Sequence, residues 1–511
     1  MMAIAAGAFI VFCVLPVLYM AYAALPALNN AAVLDSRQRG LLYNTILLGL
    51  GTAALATLVG TPLGFALARV AFPFKMALRL TLVAPALLPP YVVALAWIYL
   101  DAHVTSAVPP AIKSVLPNPY SIAGAIAALT VVFYPLSMLA TEVGLRRLES
   151  RLEEAALLTA APARVLWRIT GPLIARNVLS TALVIMVLAI SEFSVPGLLR
   201  VRVFTTEVFT AFAALYDFAR ATALAVPLLI VSVGVAGAGA ALAGGRVVAT
   251  RRATGGPPPV AFATWGRPAL AAVICVGLVT VAVPVAVLAR EALRSTSIVG
   301  VVEGSRAAAT NSLLLAAIGA TAVTMLALCL GYARARTDES LGAVVDVIWV
   351  VLFTVPSTIV GLGLIGLWNR PGALGAMYGT SAMVVLGYLA RFAPIAALAL
   401  ASVIRFVPAS HEEAAAVAGA RWPRTMRDIV LPQIRIGIVA TWVISFVLAF
   451  GEVGTSILVA PPGESTLPIR VYTLTANAPP GQIAALALFQ SAVILCPLIL
   501  LGAVIASWKT R

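Results

Sequence analysis

The chain has 511 residues, of which 62% are hydrophobic and only 10% charged, with a formal net charge of +15. That is far more apolar surface than a soluble core could bury, and repeated apolar runs of about twenty residues, each long enough to cross a bilayer, point to a polytopic membrane protein. The basic excess then reads as Lys and Arg placed on one side of a membrane, not as a nucleic-acid surface.

The first apolar run covers 3–25. The ALPALNNA that follows resembles a signal-peptide cleavage region, but no basic stretch precedes the run. Residues 269–290 stand before Asn311-Ser312 as 3–25 stand before Asn44-Thr45, with Pro284 matching Pro16, so the first helix is expected to be retained. Helices are expected at about 41–68 and 80–100, joined by a basic turn holding Arg69, Lys75 and Arg79. A loop over 101–120 with Pro109, Pro110, Pro117 and Pro119 is unsuited to a long helix, and a fourth helix covers about 121–143.

Next comes a polar and basic segment, Ser150 to Pro172, that recurs 260 positions later as Ser410 to Pro432. Ser150, Glu153, Arg164, Ile169 and Pro172 align without a gap on Ser410, Glu413, Arg424, Ile429 and Pro432, and Glu192 meets Glu452 at the same offset. Ser410 followed by Glu413 has the spacing of a capping box. Ala414, Ala415 and Ala416 favour helix, and Gly419 is placed to end it, giving a short smooth helix outside the bilayer. Helices at about 178–198 and 221–243 complete six spans. Residues 244–268, with paired glycines, a proline run and four arginines, read as a solvated tether. The second half repeats the scheme at about 269–290, 311–333, 342–368, 381–403, 436–458 and 483–507. The expected organisation is all-α and polytopic: a first repeat over 1–243, a linker over 244–268 and a second repeat over 269–511, two parallel six-helix units making about twelve transmembrane helices. With the repeated loops on the cytoplasmic side, most Lys and Arg fall there too, including Arg146, Arg147, Arg251, Arg252, Arg421 and Arg427.

Pro62, Pro85, Pro89, Pro90, Pro135, Pro356, Pro394 and Pro497 lie within these spans and read mainly as packing features. Cys13, Cys275, Cys329 and Cys496 lack ligand-like spacing and read as small core hydrophobes. The informative acids are Glu192 and Glu452, set in ISEFSVPG and FGEVGTS. An intramembrane acid faces the bundle interior or a water-filled path. Two at matched positions either form a negative ring in a translocation path, able to hold a cation in passing, or bond to backbone freed by the nearby Pro196 and Gly451 breaks, with Arg391 a further partner for Glu452. No G-x4-G-K-[ST] occurs, and Lys75, Lys113 and Lys509 are the only lysines, so ATP hydrolysis is not expected of this chain. His103 and His411 have no metal-hydrolase spacing. A membrane enzyme is a poor reading.

Glu413-Ala414-Ala415, Gly419, Ile429, Leu431 and Pro432 resemble the EAA loop of the membrane subunits of binding-protein-dependent ABC importers. In the first copy the aligned positions are Glu153-Glu154-Ala155 with Thr159 in place of the glycine, while a one-residue shift to Glu154-Ala155-Ala156 restores the triplet; both registers stand. The resemblance implies a type I importer fold in a bacterial inner membrane. Coupling to the ATPase would then fall to Glu153, Glu154, Ala155, Thr159, Glu413, Ala414, Ala415 and Gly419, and the path to Glu192 and Glu452. It also implies an ABC ATPase dimer carrying ATP and Mg, an extracytoplasmic substrate-binding protein, and no cofactor on this chain. The matched acids, with FTTEVF at Phe204–Phe209 and LPIRVY at Leu467–Tyr472, are similar to the ferric-iron branch, which makes ferric iron the first cargo expected, with thiamine, polyamines and phosphonates as alternatives. A gradient-driven secondary transporter of a cation is the competing class, although such proteins commonly carry inverted repeats; a scaffold without transport is a third.

Overall fold

In hydrocarbon no water satisfies the peptide groups, so an apolar chain folds into helices that satisfy their own. The computed structural model describes residues 2–28, 35–107, 118–148, 150–242, 265–294, 297–372 and 375–509. Among them no strand occurs. Ten helices are long and apolar enough to span a membrane, or twelve spans if each of two bent pairs counts as one. Of the loop expected over 101–120, residues 101–107 instead continue the helix that starts at Pro90, whereas Pro109, Pro110 and Pro117, linker residues 244–264 and the Ser150 side chain lie outside the described residues.

The first half comprises α1 (Met2–Leu25), α2 (Ser36–Arg69), α3 (Lys75–Leu87), α4 (Pro90–Ala107), α5 (Ile122–Arg147), α6 (Ser150–Leu157), α7 (Pro162–Ser191), α8 (Ser194–Leu198), α9 (Phe204–Ala213) and α10 (Phe218–Leu242). The second half has α11 (Gly266–Leu293), α12 (Ile298–Glu303), α13 (Arg306–Ala335), α14 (Glu339–Thr354), α15 (Ser357–Trp368), α16 (Ala382–Ile404), α17 (Ala409–Val417), α18 (Trp422–Gly451), α19 (Ser456–Val459), α20 (Leu467–Leu474) and α21 (Pro480–Lys509).

Three expectations change. The spans expected at 80–100 and 342–368 are each broken, α3 meeting α4 at 95° and α14 meeting α15 at 93°. Leu88 and Val355, each just before a proline, are extended, because a following proline ring disfavours the helical region. Pro89 and Pro356 therefore make the breaks, whereas Pro62, Pro135, Pro394 and Pro497 stay inside continuous helices. Secondly, the helices expected at 178–198 and 436–458 begin earlier. The tails of the two repeated segments are already helical and pass through π turns at Leu166–Thr170 and Met426–Val430 into the spans. They end at Ser191 and Gly451, and after a short break the chain restarts as the separate short helices α8 and α19. Thirdly, the tether assigned to 244–268 overlaps the start of α11 at Gly266.

The halves interlock through their first helices. α1 packs on α13, α15 and α16 of the second half, and α11 packs on α2, α3 and α4 of the first. Each half also pins its bent span with an ion pair of its own making. Arg79 on α3 reaches Glu142 on α5 at 3.1 Å, while Arg334 on α13 holds Asp346 on α14 through two bonds of 2.7 Å.

The most extensive contact within the first half, α2 on α5, uses Gly60 and Gly64, a small-xxx-small pair that lets backbones approach. A Cβ on Gly64 would press on the Met138 carbonyl and Thr141 Cβ, and one on Gly60 on Met138 N and Ser137 Cβ. Gly64→Val is expected to lower stability by about 1–3 kcal/mol, the usual range for overpacking. Gly234→Val, where nothing lies within 4 Å, should be near neutral; thermal unfolding of the two variants in detergent compares them.

Candidate functional site: two exposed knobs and a polar cavity

With each bent pair taken as one span, six crossings separate α6 from α17, which puts both short helices on one face. α17 ends in a Schellman turn. Gly419 has φ +81°, its N–H donates to Ala416 O at 2.9 Å, and Ala420 N–H donates to Ala415 O at 2.9 Å. Glycine meets the left-handed conformation without a Cβ penalty. The expected capping box is absent: α17 starts two residues earlier than a Ser410 cap requires, at Ala409 after Pro408, and no side chain caps it. Ser410 is thus already inside the first turn, where its hydroxyl no longer faces the free N–H groups. Glu413, Ala414 and Gly419 are exposed and Ala415 is half-buried. In the first copy Glu154, Ala155 and Thr159 are exposed, and the Thr159 hydroxyl donates to Ala156 O at 3.3 Å.

Glu153 behaves differently. Its carboxylate is buried, ion-paired with Arg69 at 2.8 Å and accepting from the Thr170 hydroxyl at 2.8 Å, so it faces inward and is not open to a partner. Its counterpart is Glu412, not Glu413. Glu412 pairs with Arg336 and accepts from the Tyr332 hydroxyl at 2.6 Å, and Trp422 Nε1 donates to the same hydroxyl at 3.2 Å. Arg69 and Arg336 sit at equivalent ends of α2 and α13. Each knob is therefore latched to a spanning helix by an inward acid, and the next residue, Glu154 or Glu413, points out. This geometry follows the shifted register, Glu154-Ala155-Ala156 matching Glu413-Ala414-Ala415. The one-residue difference is taken up in the turn, where the second copy has its glycine. Arg69, Arg336 and Glu412 were missed in the sequence, although Arg69 and Arg336 follow Asn44 and Asn311 at equal distances.

Glu192 and Glu452 follow the ends of α7 and α18. Each does the work of a helix cap. Glu192 accepts from the Ser194 N–H at 2.8 Å and from the Ser194 hydroxyl. Glu452 accepts from Thr455 N–H at 2.7 Å, Ser456 N–H at 2.9 Å and the Ser456 hydroxyl at 2.6 Å. Carboxylates stabilise such N-termini by filling free donors. Both acids nevertheless line one cavity of about 250 Å³, together with Pro89, Phe193, Ser357 and Arg391. The Arg391 guanidinium lies 3.6 Å from Glu452. The same two residues thus line the cavity and bond to backbone at the helix breaks. Among the described residues no cluster of three His, Cys, Asp or Glu side chains could hold a metal.

On the side away from the knobs, a second cavity of about 570 Å³ is lined by Tyr99, Tyr120, Arg200, Phe209 and Tyr472. Phe193, in the wall of the first cavity, meets Phe209 (centroids 4.5 Å) and Tyr472 (5.5 Å) in the wall of the second, both in tilted contacts. Three aromatic rings therefore separate the two spaces.

The latches differ in burial, with side chains 2% and 1% exposed for Arg69–Glu153 against 23% and 17% for Arg336–Glu412. Glu153→Ala should cost about 3–5 kcal/mol because it strands a buried guanidinium. Glu412→Ala should cost about 1 kcal/mol, nearer the value of an exposed pair; denaturant unfolding of each variant measures the gap.

Comparison with known proteins extends this picture. The family described as binding-protein-dependent transport system inner membrane component matches residues 324–510. The chain is 24% identical over 449 residues to the Fe(3+)-transport system permease protein FbpB 2 of Haemophilus influenzae, covering 86% of this chain and 85% of that protein. It is 34% identical over 166 residues to a Streptomyces antibioticus protein named as an ABC transporter permease (ORF1), covering 32% of this chain and 69% of that one. A Salmonella paratyphi A protein named for 2-aminoethylphosphonate transport (PhnV) is 33% identical over 125 residues, 24% of this chain and 45% of its own. With its membrane-spanning helices and its paired EAA-type knobs, the chain belongs to the inner-membrane permease subunits of binding-protein-dependent ABC importers, multi-pass proteins of the bacterial inner membrane and not enzymes.

Proposed function

We propose that this chain forms the translocation path of an ATP-driven importer whose cargo is ferric iron. The observation that carries the reading is the pair of knobs on one face. Each presents an outward glutamate and an exposed apolar residue, Leu158 at 87% and Val417 at 90% exposure. Free in water, apolar side chains so placed gain nothing; in a groove of another protein they anchor an interface. The partner is an ABC ATPase dimer holding ATP and Mg, contacted through Glu154, Ala155, Thr159, Glu413, Ala414, Ala415 and Gly419. A substrate-binding protein delivers cargo on the opposite face, and the repeats 1–243 and 269–511 enclose the path past Glu192 and Glu452. Iron is favoured by the relative matched over most of both chains. A phosphonate is the second reading, favoured by the PhnV relative.

Coupling requires each knob to bind its partner differently in the two states of the path. In proteoliposomes holding the chain, its ATPase and its binding protein, iron uptake is expected to follow ATP addition. Leu158→Asp with Val417→Asp should reduce it about tenfold or more, the equivalent of about 1.4 kcal/mol of lost docking, without changing thermal unfolding. Uptake driven by an ion gradient alone, with no ATPase present, would remove the reading.

A further inference from the structure

The cavity between α7, α16 and α18 holds three charged side chains, and hydrogen bonding separates them into two kinds. Both carboxylates are engaged by N–H and hydroxyl donors of the short helices they cap. Arg391 is not. Its ion pair to Glu452, at 3.6 Å, is longer than a hydrogen bond, its guanidinium lies over the ring of Phe392, and its buried Nε has no acceptor among the described residues. A guanidinium carries five donors in a planar fork and no acceptor. The residue is also without a repeat mate. Phe133 and Pro135 on α5 match Phe392 and Pro394 on α16, which sets Val132 opposite Arg391. The first half packs the same helix without the charge, so the fold itself does not call for it.

We infer that Arg391 is a cargo contact, and that the cargo presents an oxyanion of the phosphonate, phosphate or carboxylate class to this guanidinium instead of arriving as a bare metal cation. A bare cation would be repelled by Arg391, and the carboxylate lone pairs left to it belong to groups that already accept two hydrogen bonds at Glu192 and three at Glu452. An oxyanion meets a fork of matching geometry with donors to spare. The inference deepens the importer reading: ferric iron would cross still held by anionic oxygen ligands, and a phosphonate would supply the anion itself.

The test uses the full chain in lipid nanodiscs and equilibrium dialysis with radiolabelled inorganic phosphate. Saturable binding is expected, weakened about tenfold or more by Arg391→Gln and largely kept by Arg391→Lys. Glu452→Gln removes the carboxylate that competes for the guanidinium and should strengthen binding, an opposite change that a misfolded Arg391→Gln protein cannot imitate. Displacement of phosphate by ferric citrate supports a metal chelate as the source of the oxyanion, and displacement by 2-aminoethylphosphonate supports the phosphonate; displacement by neither overturns the cargo class. Absence of saturable binding, or binding indifferent to Arg391→Gln, overturns the site. ATP-driven uptake that persists in that case leaves the importer reading intact, whereas phosphate binding without any ATP-driven uptake removes the importer reading and keeps the site.

Discussion

A backbone broken inside hydrocarbon must have its freed N–H and C=O groups met by protein, and that constraint shapes the centre of this molecule. Two spans break at Leu88 and Val355, and two helices stop at Ser191 and Gly451 before short helices begin. Hydroxyls tie the chain together around Val355, Ser191 and Gly451. The Ser191 hydroxyl donates to Thr354 O at 2.9 Å, the Thr455 hydroxyl to Ser357 O at 3.1 Å, and the Thr205 hydroxyl to Glu192 O at 3.2 Å. The two glutamates cap the restarted helices. Polar groups that would be costly elsewhere in a membrane protein thus accumulate where the chain bends, and the bends leave the space that becomes the cavity. Cavity and capping network have one cause.

The duplication is exact in plan and uneven in detail. A hydroxyl near the start of α2 and of α13 receives a backbone N–H from the segment after the short helix, Phe204 to Thr45 at 3.1 Å and Leu467 to Ser312 at 2.6 Å. π turns occupy matched places in α7 and α18, and further ones matched places in α1 and α11. The charged groups diverge far more. The bent spans are pinned by different ion pairs, the knob latches differ in burial, and Arg391 has no mate. Backbone satisfaction allows few solutions, so both halves keep the same one, whereas an ion pair needs only some acid near some base.

Much of this plan was legible in the sequence. Twenty-residue apolar runs mark spans because a helix of that length matches the bilayer, and the repeated polar segment marks the knobs and the pairing of Glu192 with Glu452. Gly419 was readable as a helix stop because its conformation is local. The breaks were not legible as such. Nothing in the sequence marks the proline at 62 or 394 as one kept inside a helix and the proline at 89 or 356 as one that breaks it; the folded chain makes that division. The facing of the knob acids was hidden for a related reason. Neighbouring helical residues point about 100° apart, so of Glu153-Glu154 or Glu412-Glu413 only one turns inward, and the choice is made by an arginine more than seventy residues away in the chain.

The latches also bear on how movement at the knobs can reach the cavity. α6 is tied through Glu153 to Arg69 at the end of α2, α2 lies against α5 through Gly60 and Gly64, and α7 leaves the same knob through a π turn whose Thr170 bonds to the same glutamate. These contacts tie α2, α5 and α7 to one knob. α7 ends just before Glu192, in the cavity wall, and in the second half α17 is tied through Glu412 to Arg336 and Tyr332 at the end of α13, while α18 ends just before Glu452. Because α1 and α11 are exchanged between halves, neither half can shift without sliding along a helix of the other. In the importer proposed above, a push on the two small surface helices would be passed along these contacts toward the two acid-bearing helix ends beside Arg391.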